Sequence, residues 1–510
     1  MIDKKTIIAV VLSIVVLLIY QYYFVPKLPH VSTPAASKQQ GIEPTTLPKT
    51  TAAEIPKVEA ASGVDIPVET GLYKAVLSTS GGTIKFWQLK KYKDEEGKPV
   101  ILLKNADAIP PLGIILEGNN WNSLLNAVYS SDVQSLTLGG QKDKGVITFT
   151  YNNPSGLSIK KVFTFYNDDY RVDLNIEVSG INSYYIPLGT DFGVYDEKDT
   201  SSHKGPVLLV DSDRIAPKPE KINGAKAYTG YIKWIAQEDK YFTAALVPIT
   251  KPESATIWKY AVSPEIALKV NNPNASFILY AGPKEYDRLK ALHVGLENVI
   301  DFGFFSIIAM PLFWVLKFFY SFTRNYGVAI ILLTAIVRIP FIPLINKGQR
   351  AMKKMQELQP KINELREKYK KDPQRMNKEL MDIYKRNKVN PMGGCLPMLL
   401  QIPVFFALYN VLQKAIELRG APFILWIKDL SLKDPYYVLP IVMGITMVIQ
   451  QRMTPSSMDP TQSKMMMILP VVFTFMFLRF PSGLVLYWLV NNVLSIAQQY
   501  YINRSIKASS

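Results

Sequence analysis

The chain has 510 residues, of which 48% are hydrophobic, and a formal net charge of +16. This length accommodates two or three domains, and the long apolar runs lie after about residue 299. The single cysteine, Cys395, excludes intramolecular disulfides and cysteine clusters for metal, and all three histidines precede the apolar region. These counts exclude a histidine-based metal or acid–base site inside the membrane. From the sequence as a whole we expect no metal site, no cofactor and no catalytic residues.

The N-terminal residues 1–25 predict a transmembrane signal anchor. Two lysines precede an apolar run from Ile7 to Tyr20, and no small-x-small cleavage site follows. Residues 26–68 are rich in Pro, Ala, Thr, Ser and Lys and have no apolar period, which predicts a flexible linker. We place this linker outside the cytoplasm.

Residues 69–295 show the pattern of short strands. The stretch "YRVDLNIEVSG" at 170–180 alternates apolar and polar residues strictly, and "VITFTYNNPSGLSIKKVFTF" predicts a hairpin that turns at Asn153–Gly156. More than two hundred residues of this kind predict a large antiparallel β-sandwich on the outer side of the membrane.

Five apolar segments follow and are predicted to cross the membrane as helices. With the N-terminal anchor they make six transmembrane helices, five of which form the core of an α-helical bundle. The five segments are 326–346, 391–416, 436–453, 464–480 and 483–502.

Residues 299–323 are also apolar and long enough to cross a bilayer. If this segment crossed as well, the basic residues of 347–390 would lie outside, against the rule that cytoplasmic loops are positively charged. We therefore predict that 299–323 is an amphipathic helix in the outer interface. Both termini, including the tail 503–510, are then cytoplasmic.

The segment 347–390 predicts a basic cytoplasmic helical hairpin. It contains fourteen Lys and Arg and six Asp and Glu, and its apolar residues follow helical spacings on both sides of Asp372-Pro373. Two interpretations remain open and are compatible: a solvated charged surface that sets topology, or a docking surface for ribosomal RNA or lipid head groups. The candidate docking residues are Lys353, Lys354, Lys361, Arg366, Arg375, Lys385 and Arg386.

Arg338 stands inside the apolar segment "IILLTAIVRIPFIPLI". The five segments after residue 326 contain no Asp or Glu that could pair with it. An arginine at the bilayer centre costs about 2.5–3.5 kcal/mol on insertion scales, and it cannot lose its proton. We therefore expect a water-filled cavity, open to the cytoplasm and lined by neutral polar groups.

The other segments supply such groups at helical spacing. Tyr487, Asn491, Ser495 and Gln498 form one stripe along the last segment. The alternative for several of these residues, Thr446 and Gln401 above all, is that they only form hydrogen bonds between helices. The polar residues expected to line the cavity are Thr334, Gln401, Thr446 and Gln450, together with Tyr487 and Asn491 of the stripe.

These features disfavour several classes of membrane protein. A proton-coupled transporter needs a titratable group in the membrane, an intramembrane protease needs a catalytic set, and an ATP-driven machine needs a phosphate-binding loop. None of these patterns occurs in the sequence. A fixed positive charge in a wet groove suits transient binding of an acidic or polar peptide that is crossing the membrane.

At this point the motifs resemble those of the YidC/Oxa family of membrane-protein insertases, in the Gram-negative form with a large periplasmic domain. The resemblance covers the whole membrane half in segment order. The stretches that carry it are "AIVRIPFIPL" (335–344), "LQPKINELREKY" (358–369), "VNPMGGCLPMLLQIPVFFALY" (389–409), "FILWIKDLSLKDPYYVLPIVMGITM" (423–447) and "FPSGLVLYWLVNN" (480–492).

The resemblance implies an inner-membrane insertase and chaperone for nascent membrane proteins, acting without nucleotide, alone or with the Sec translocon and its SecD/SecF subunits. It implies a hydrophilic groove around Arg338, with Tyr487 and Trp488 in contact with nascent segments. Ribosomes and membrane lipids would be further partners of a protein expected to work as a monomer. The tail "NRSIKASS" is short, so ribosome contact would fall on 347–390 and 454–463. The alternative is a non-catalytic assembly scaffold in which the periplasmic sandwich is the working part.

Overall fold

The computed structural model describes residues 63–94, 96–104, 109–118, 122–195, 202–260, 263–370, 372–387, 396–453 and 460–508. The predicted signal anchor at 1–25, the predicted linker up to residue 62 and Cys395 lie outside these residues. The described chain is a β-rich region followed by a helical region.

The β-rich region consists of short strands joined by turns. Its strands are β1 (Asp65–Glu69), β2 (Tyr73–Ser78), β3 (Thr83–Lys93), β4 (Pro99–Leu103), β5 (Ser130–Ser131), β6 (Leu136–Thr137), β7 (Lys144–Asn152), β8 (Ser158–Tyr166), β9 (Arg171–Ser179), β10 (Tyr184–Pro187), β11 (Gly205–Val210), β12 (Asp213–Ile215), β13 (Lys226–Tyr228), β14 (Ile232–Glu238), β15 (Phe242–Pro248), β16 (Ser254–Tyr260), β17 (Ser263–Val270) and β18 (Asn274–Pro283).

The strands form three sheets that share one hydrophobic core. A nine-stranded sheet has the order β12-β11-β14-β15-β18-β9-β8-β7-β5, a five-stranded sheet the order β4-β3-β2-β1-β6, and a four-stranded sheet the order β10-β17-β16-β13. Residues of all three sheets belong to the same buried cluster. The sheets therefore bury their inner faces against one another, as in a sandwich.

The alternation predicted from the sequence is confirmed in β9. Val172, Leu174, Ile176 and Val178 are buried, whereas the residues between them are wholly or partly exposed. The predicted hairpin is also confirmed, because β7 and β8 pair antiparallel and end at Asn152 opposite Ser158. Gly156, in the turn, has φ +90°, a conformation that favours glycine.

Two details differ from the sequence-based description. Strand β1 begins at Asp65, within the range predicted as linker, because its alternate residues Ile66 and Val68 are buried against the core. It pairs antiparallel with β2 but parallel with β6, so the sandwich is not wholly antiparallel.

The helical region starts after β18. Its helices are α1 (Tyr286–Ala291), α2 (Ser306–Thr323), α3 (Tyr326–Arg338), α4 (Ile342–Glu357), α5 (Gln359–Lys368), α6 (Pro373–Arg386), α7 (Leu396–Lys414), α8 (Val438–Met453), α9 (Pro460–Phe477) and α10 (Ser482–Ala508).

Prolines explain several of the helix boundaries. Between α3 and α4 the chain forms a short 3-10 turn, Ile339–Phe341, which contains Pro340. Proline has no N–H to donate to the preceding turn, so an α-helical hydrogen bond is missing at this position. The segment predicted as one span, 326–346, is therefore two helices that meet just after Arg338.

Among the described residues, two helical stretches are long and apolar enough to cross a membrane. The 18 most apolar consecutive residues have a mean hydropathy of 1.4 in Ser306–Thr323 and of 2.5 in Tyr326–Glu357, whereas Val438–Met453 and Met467–Phe477 are apolar but shorter. Helix α10 packs against α3 and α8, and α2 packs against α3 and α7. These contacts bring the polar stripe of α10 next to the end of α3.

The β-rich region and the helices touch through the segment that follows α7. Ile416 is 2% exposed and belongs to the hydrophobic core of the sheets. Arg419 lies over the rings of Tyr195, Tyr241 and Phe242. We call residues 413–419 the junction segment.

Candidate functional site

The site is built around Arg338, the last residue of α3. The carbonyl groups at a helix C-terminus carry a partial negative charge, which stabilises a cation there by about 0.3–1 kcal/mol. A short 3-10 turn follows, and the guanidinium lies against α10. The local sequence thus places the charge at a helix end, where the backbone itself offers some compensation.

Four hydrogen bonds hold the guanidinium, all to neutral groups of α10. Its Nη1 donates to Asn491 Oδ1 at 2.9 Å and to the Asn491 carbonyl oxygen at 3.2 Å. Its Nε and Nη2 donate to Gln498 Oε1 at 3.2 and 3.0 Å. None of the carboxylates in the described parts of the chain lies within ion-pair distance of it. The positive charge is therefore solvated by amides but not neutralised.

Further amides extend this arrangement in both directions. Gln401 of α7 donates its Nε2 hydrogen to Asn491 Oδ1 at 3.1 Å. Gln498 donates from Nε2 to Asn346 Oδ1 of α4 at 2.6 Å. One continuous set of hydrogen bonds thus joins four helices around the arginine.

Beside the guanidinium is a small, partly open cleft. The helices α3, α4, α7 and α10 and the 3-10 turn after α3 all contribute to its wall. The lining residues are Thr334, Val337, Arg338, Phe341, Ile345, Gln401, Val404, Tyr487 and Asn491.

Five of the eight residues predicted for the groove come together in this cleft. They are Thr334, Arg338, Gln401, Tyr487 and Asn491. Two of these five are nearly buried: Thr334, whose hydroxyl donates to the Ile330 carbonyl oxygen at 2.6 Å, and Tyr487.

The other three predicted residues do not line the cleft. Thr446 donates to the Met443 carbonyl oxygen at 2.6 Å and accepts from Asn492 Nδ2 at 3.2 Å, which links α8 to α10. Trp488 packs on the ring of Phe405, with centroids 4.9 Å apart. Gln450 is on α8. For Thr446 the structure thus shows a bond between helices, the alternative considered from the sequence.

Two residues that contact or support the arginine were not among the predicted groove residues. Gln498 stands on the stripe of α10, seven residues after Asn491, and this spacing returns to the same helix face. Asn346 was missed altogether, although it stands eight residues after Arg338. Asn346 was hard to identify from the sequence because the proline-containing turn between it and Arg338 interrupts the helical periodicity.

The basic residues predicted to dock a partner lie on α4, α5 and α6. These helices share a small apolar cluster formed by Met355, Leu358, Ile362 and Tyr384. Two of the seven basic side chains are partly buried, Lys353 and Arg366. The exposed ones are Lys354, Lys361, Arg375, Lys385 and Arg386.

Comparison with known protein families gives two matches that together span the described chain. Residues 65–315 match the family described as the YidC periplasmic domain, and residues 318–509 match the family described as the 60Kd inner membrane protein. The boundary between the matches falls within α2, where the β-rich region has ended.

Similar proteins cover the chain almost completely. The membrane protein insertase YidC of Geotalea daltonii is 44% identical over 99% of this chain and 100% of its own length. That of Syntrophus aciditrophicus is 42% identical over 98% of this chain and 99% of its own length. A crystal structure of an active YidC insertase with its first transmembrane domain resolved covers 87% of this chain and 94% of that chain, with 21% identity and a TM-score of 0.40. By its sequence, the chain belongs to the YidC family of membrane protein insertases.

Proposed function

We propose that this protein inserts nascent membrane proteins into the inner membrane and assists their folding, and that the Arg338 cleft receives the substrate. The observation that carries the proposal is a guanidinium whose hydrogen-bond partners, within the described parts of the chain, are neutral amides at the wall of a cleft. A charge that the protein itself leaves uncompensated can attract a polar or acidic segment of a passing chain. No nucleotide is needed, because folding and lipid partitioning of the substrate supply the free energy.

The energy of such an attraction is large enough to matter. A carboxylate 4 Å from the guanidinium gains about 4 kcal/mol at an effective dielectric constant of 20. A short acidic or polar leader would otherwise face the hydrocarbon core of the bilayer alone. The cleft therefore lowers the free-energy barrier to insertion most for the first polar part of the substrate. The apolar part that follows then moves into the lipid.

We further propose a topology of six transmembrane helices, with both termini in the cytoplasm and residues 26–298 in the periplasm. The shape of α2 supports contact with lipid. One side buries Ala309, Leu312, Phe313 and Leu316, while Ile307, Trp314, Phe318 and Phe322 are exposed. A helix with one face packed on protein and large apolar residues on the other suits contact with lipid, and its place in the outer interface follows from the basic residues of 347–390, which favour the cytoplasm.

The basic helices α4 to α6 suit contact with anionic partners in the cytoplasm. We propose that the ribosome docks on this surface, which places the nascent chain near the cytoplasmic opening of the cleft. We also propose that the protein acts beside the Sec translocon with SecD/SecF and contacts membrane lipids. We further propose that it functions as a monomer.

The experiment replaces Arg338 by Ala, Lys and Glu and follows insertion of a short single-span substrate with an acidic leader. We expect Ala and Glu to reduce insertion, Glu most strongly, and Lys to retain a substantial part because it keeps the charge. Arg452→Ala is the matched control, since Arg452 is an exposed arginine in the last turn of α8. If Glu supports insertion as well as Arg does, electrostatic attraction is not the mechanism.

The alternative of a scaffold centred on the sandwich is tested by deleting residues 75–285. An insertase retains most of its activity after this deletion, whereas a sandwich-centred scaffold loses it. The deletion also uncovers Ile416, which is buried against the sandwich core. Activities must therefore be compared at equal amounts of folded protein.

A further inference from the structure

Gln498 uses both ends of its amide. Its Oε1 accepts from Nε and Nη2 of Arg338, and its Nε2 donates to Asn346 Oδ1. The orientation of this amide follows from chemistry, because a guanidinium only donates and must therefore face the oxygen of Gln498. The NH₂ group of Gln498 then points towards α4, where the oxygen of Asn346 receives it.

The neutrality of Gln498 is as important as its position. An amide oxygen satisfies two donors of the guanidinium and leaves the net charge unchanged. A carboxylate in the same place would form a charge-assisted ion pair and cancel that charge. The chain thus presents an acceptor that holds the arginine without consuming its attraction for an anion.

We propose that Gln498 and Asn346 are positioning residues for the insertion reaction. Gln498 fixes the guanidinium at the cleft wall as an uncompensated cation, and Asn346 fixes the orientation of the Gln498 amide. This inference rests on the proposed function of Arg338 in attracting polar and acidic segments. A substrate carboxylate competes with the amide oxygen of Gln498 for the same N–H groups, which makes the binding reversible.

The test compares two single-span substrates that differ only in the leader, which is acidic in one and carries the matching Asn and Gln residues in the other. The measured quantity is the ratio of acidic to neutral substrate inserted. Gln498→Glu is expected to lower this ratio to the value of Arg338→Ala, about one, because the new carboxylate neutralises the guanidinium. Insertion of the neutral substrate should change far less.

The matched control is Gln499→Glu, which places the same carboxylate one residue further along α10. Gln499 is buried and donates to Asn503 Oδ1 at 3.2 Å, whereas the hydrogen bonds of the arginine go to Asn491 and Gln498. Because a buried carboxylate destabilises a fold, the ratio is compared at equal amounts of folded protein. The control variant is expected to keep the preference for the acidic leader. If both variants lower the ratio equally, negative charge on α10 and not pairing with Arg338 is responsible, and the proposal is overturned.

A second pair of variants keeps the proposal testable if Gln498→Glu does not accumulate. Asn346→Leu removes the acceptor for the Gln498 amide, and we expect a partial loss of the ratio. In a Gln498→Leu background the same Asn346→Leu change should have no further effect, because its action passes through Gln498. Additive losses would show that Asn346 acts independently and would refute the positioning role.

The outcomes separate this inference from the proposed function. If Arg338→Ala leaves the ratio unchanged, the attraction by the arginine itself is wrong. If Arg338→Ala abolishes the preference while Gln498→Glu retains it, the arginine works as proposed but Gln498 does not position it.

Discussion

Arg419 is predicted to hold the β-rich region on the helices. Its guanidinium carbon is 5.2 Å from the ring centre of Phe242, 5.3 Å from that of Tyr241 and 5.8 Å from that of Tyr195. Its Nη2 donates to the Lys93 carbonyl oxygen at 2.9 Å. Replacing Arg419 by Ala removes all four interactions, and we expect the junction segment to separate from the sheets more often.

The size of the effect follows from these contacts. A partly exposed cation over aromatic rings contributes about 0.5–1 kcal/mol, and the three rings share one charge, so their contributions do not add fully. The hydrogen bond to Lys93 is exposed to solvent, so it contributes about 0.5–1.5 kcal/mol. We therefore expect a loss of about 1–2 kcal/mol, which raises the population of the separated state about 5- to 30-fold.

Amide hydrogen exchange in the junction segment measures this population. The N–H of Leu418 donates to the Ala415 carbonyl oxygen and that of Arg419 to the Ile416 carbonyl oxygen, so both exchange only when the turn opens. Arg419→Lys should give an intermediate increase, because lysine keeps the charge but loses the planar stacking. Arg479→Ala, at an exposed turn between α9 and α10, is the control. If the exchange rates of these amides in Arg419→Ala lie within threefold of those in the unchanged protein, the reasoning is refuted.

Two further predictions concern other parts of the helical region. Burial raises the pKa of Glu417 to about 7, above its ordinary value of 4.5. Between these two pH values the folded protein therefore binds a proton that the unfolded chain has lost. The free energy of unfolding should accordingly fall as pH rises from about 4.5 to 7. Thermal unfolding at pH 5 and pH 8 should show this fall, and Glu417→Gln should reduce it and be the more stable protein at pH 8. A methyl group on Gly444 would lie 2.1 Å from Thr474 Oγ1, so Gly444→Ala should lower the unfolding temperature. Adding Thr474→Ala should restore part of the loss, and an unchanged unfolding temperature in Gly444→Ala would contradict close packing of α8 on α9.

The elements of the fold were largely predictable because their signals are local. Alternation along β9 and the turn residues between β7 and β8 specify strand faces and a hairpin within a few residues. The apolar runs likewise predicted helices at the positions of α3, α7, α8, α9 and α10. The exact ends were less predictable, as β1 and the turn after Arg338 show, because tertiary burial and proline geometry decide them.

The candidate site was predictable only in part. The lone charge of Arg338 and the polar stripe of α10 are visible in the sequence. That the two lie side by side is decided by how the helices pack. Which face of each helix meets which neighbour depends on the whole bundle. For this reason Thr446 and Trp488 carry the right kind of side chain but make their contacts outside the cleft, Thr446 with Asn492 and Trp488 with Phe405.

By itself, the sequence determined the local periodicities, the family motifs and an arginine without any acidic residue in the apolar segments. Only the tertiary structure decided what surrounds that arginine, because its partners Asn491 and Gln498 come from more than 150 residues away. The same is true of Lys161, which occupies a core-facing position of β8 and donates to the carbonyl oxygens of Gly81, Gly82 and Leu112. Both charged side chains are held by groups distant in sequence, and only folding brings those groups together.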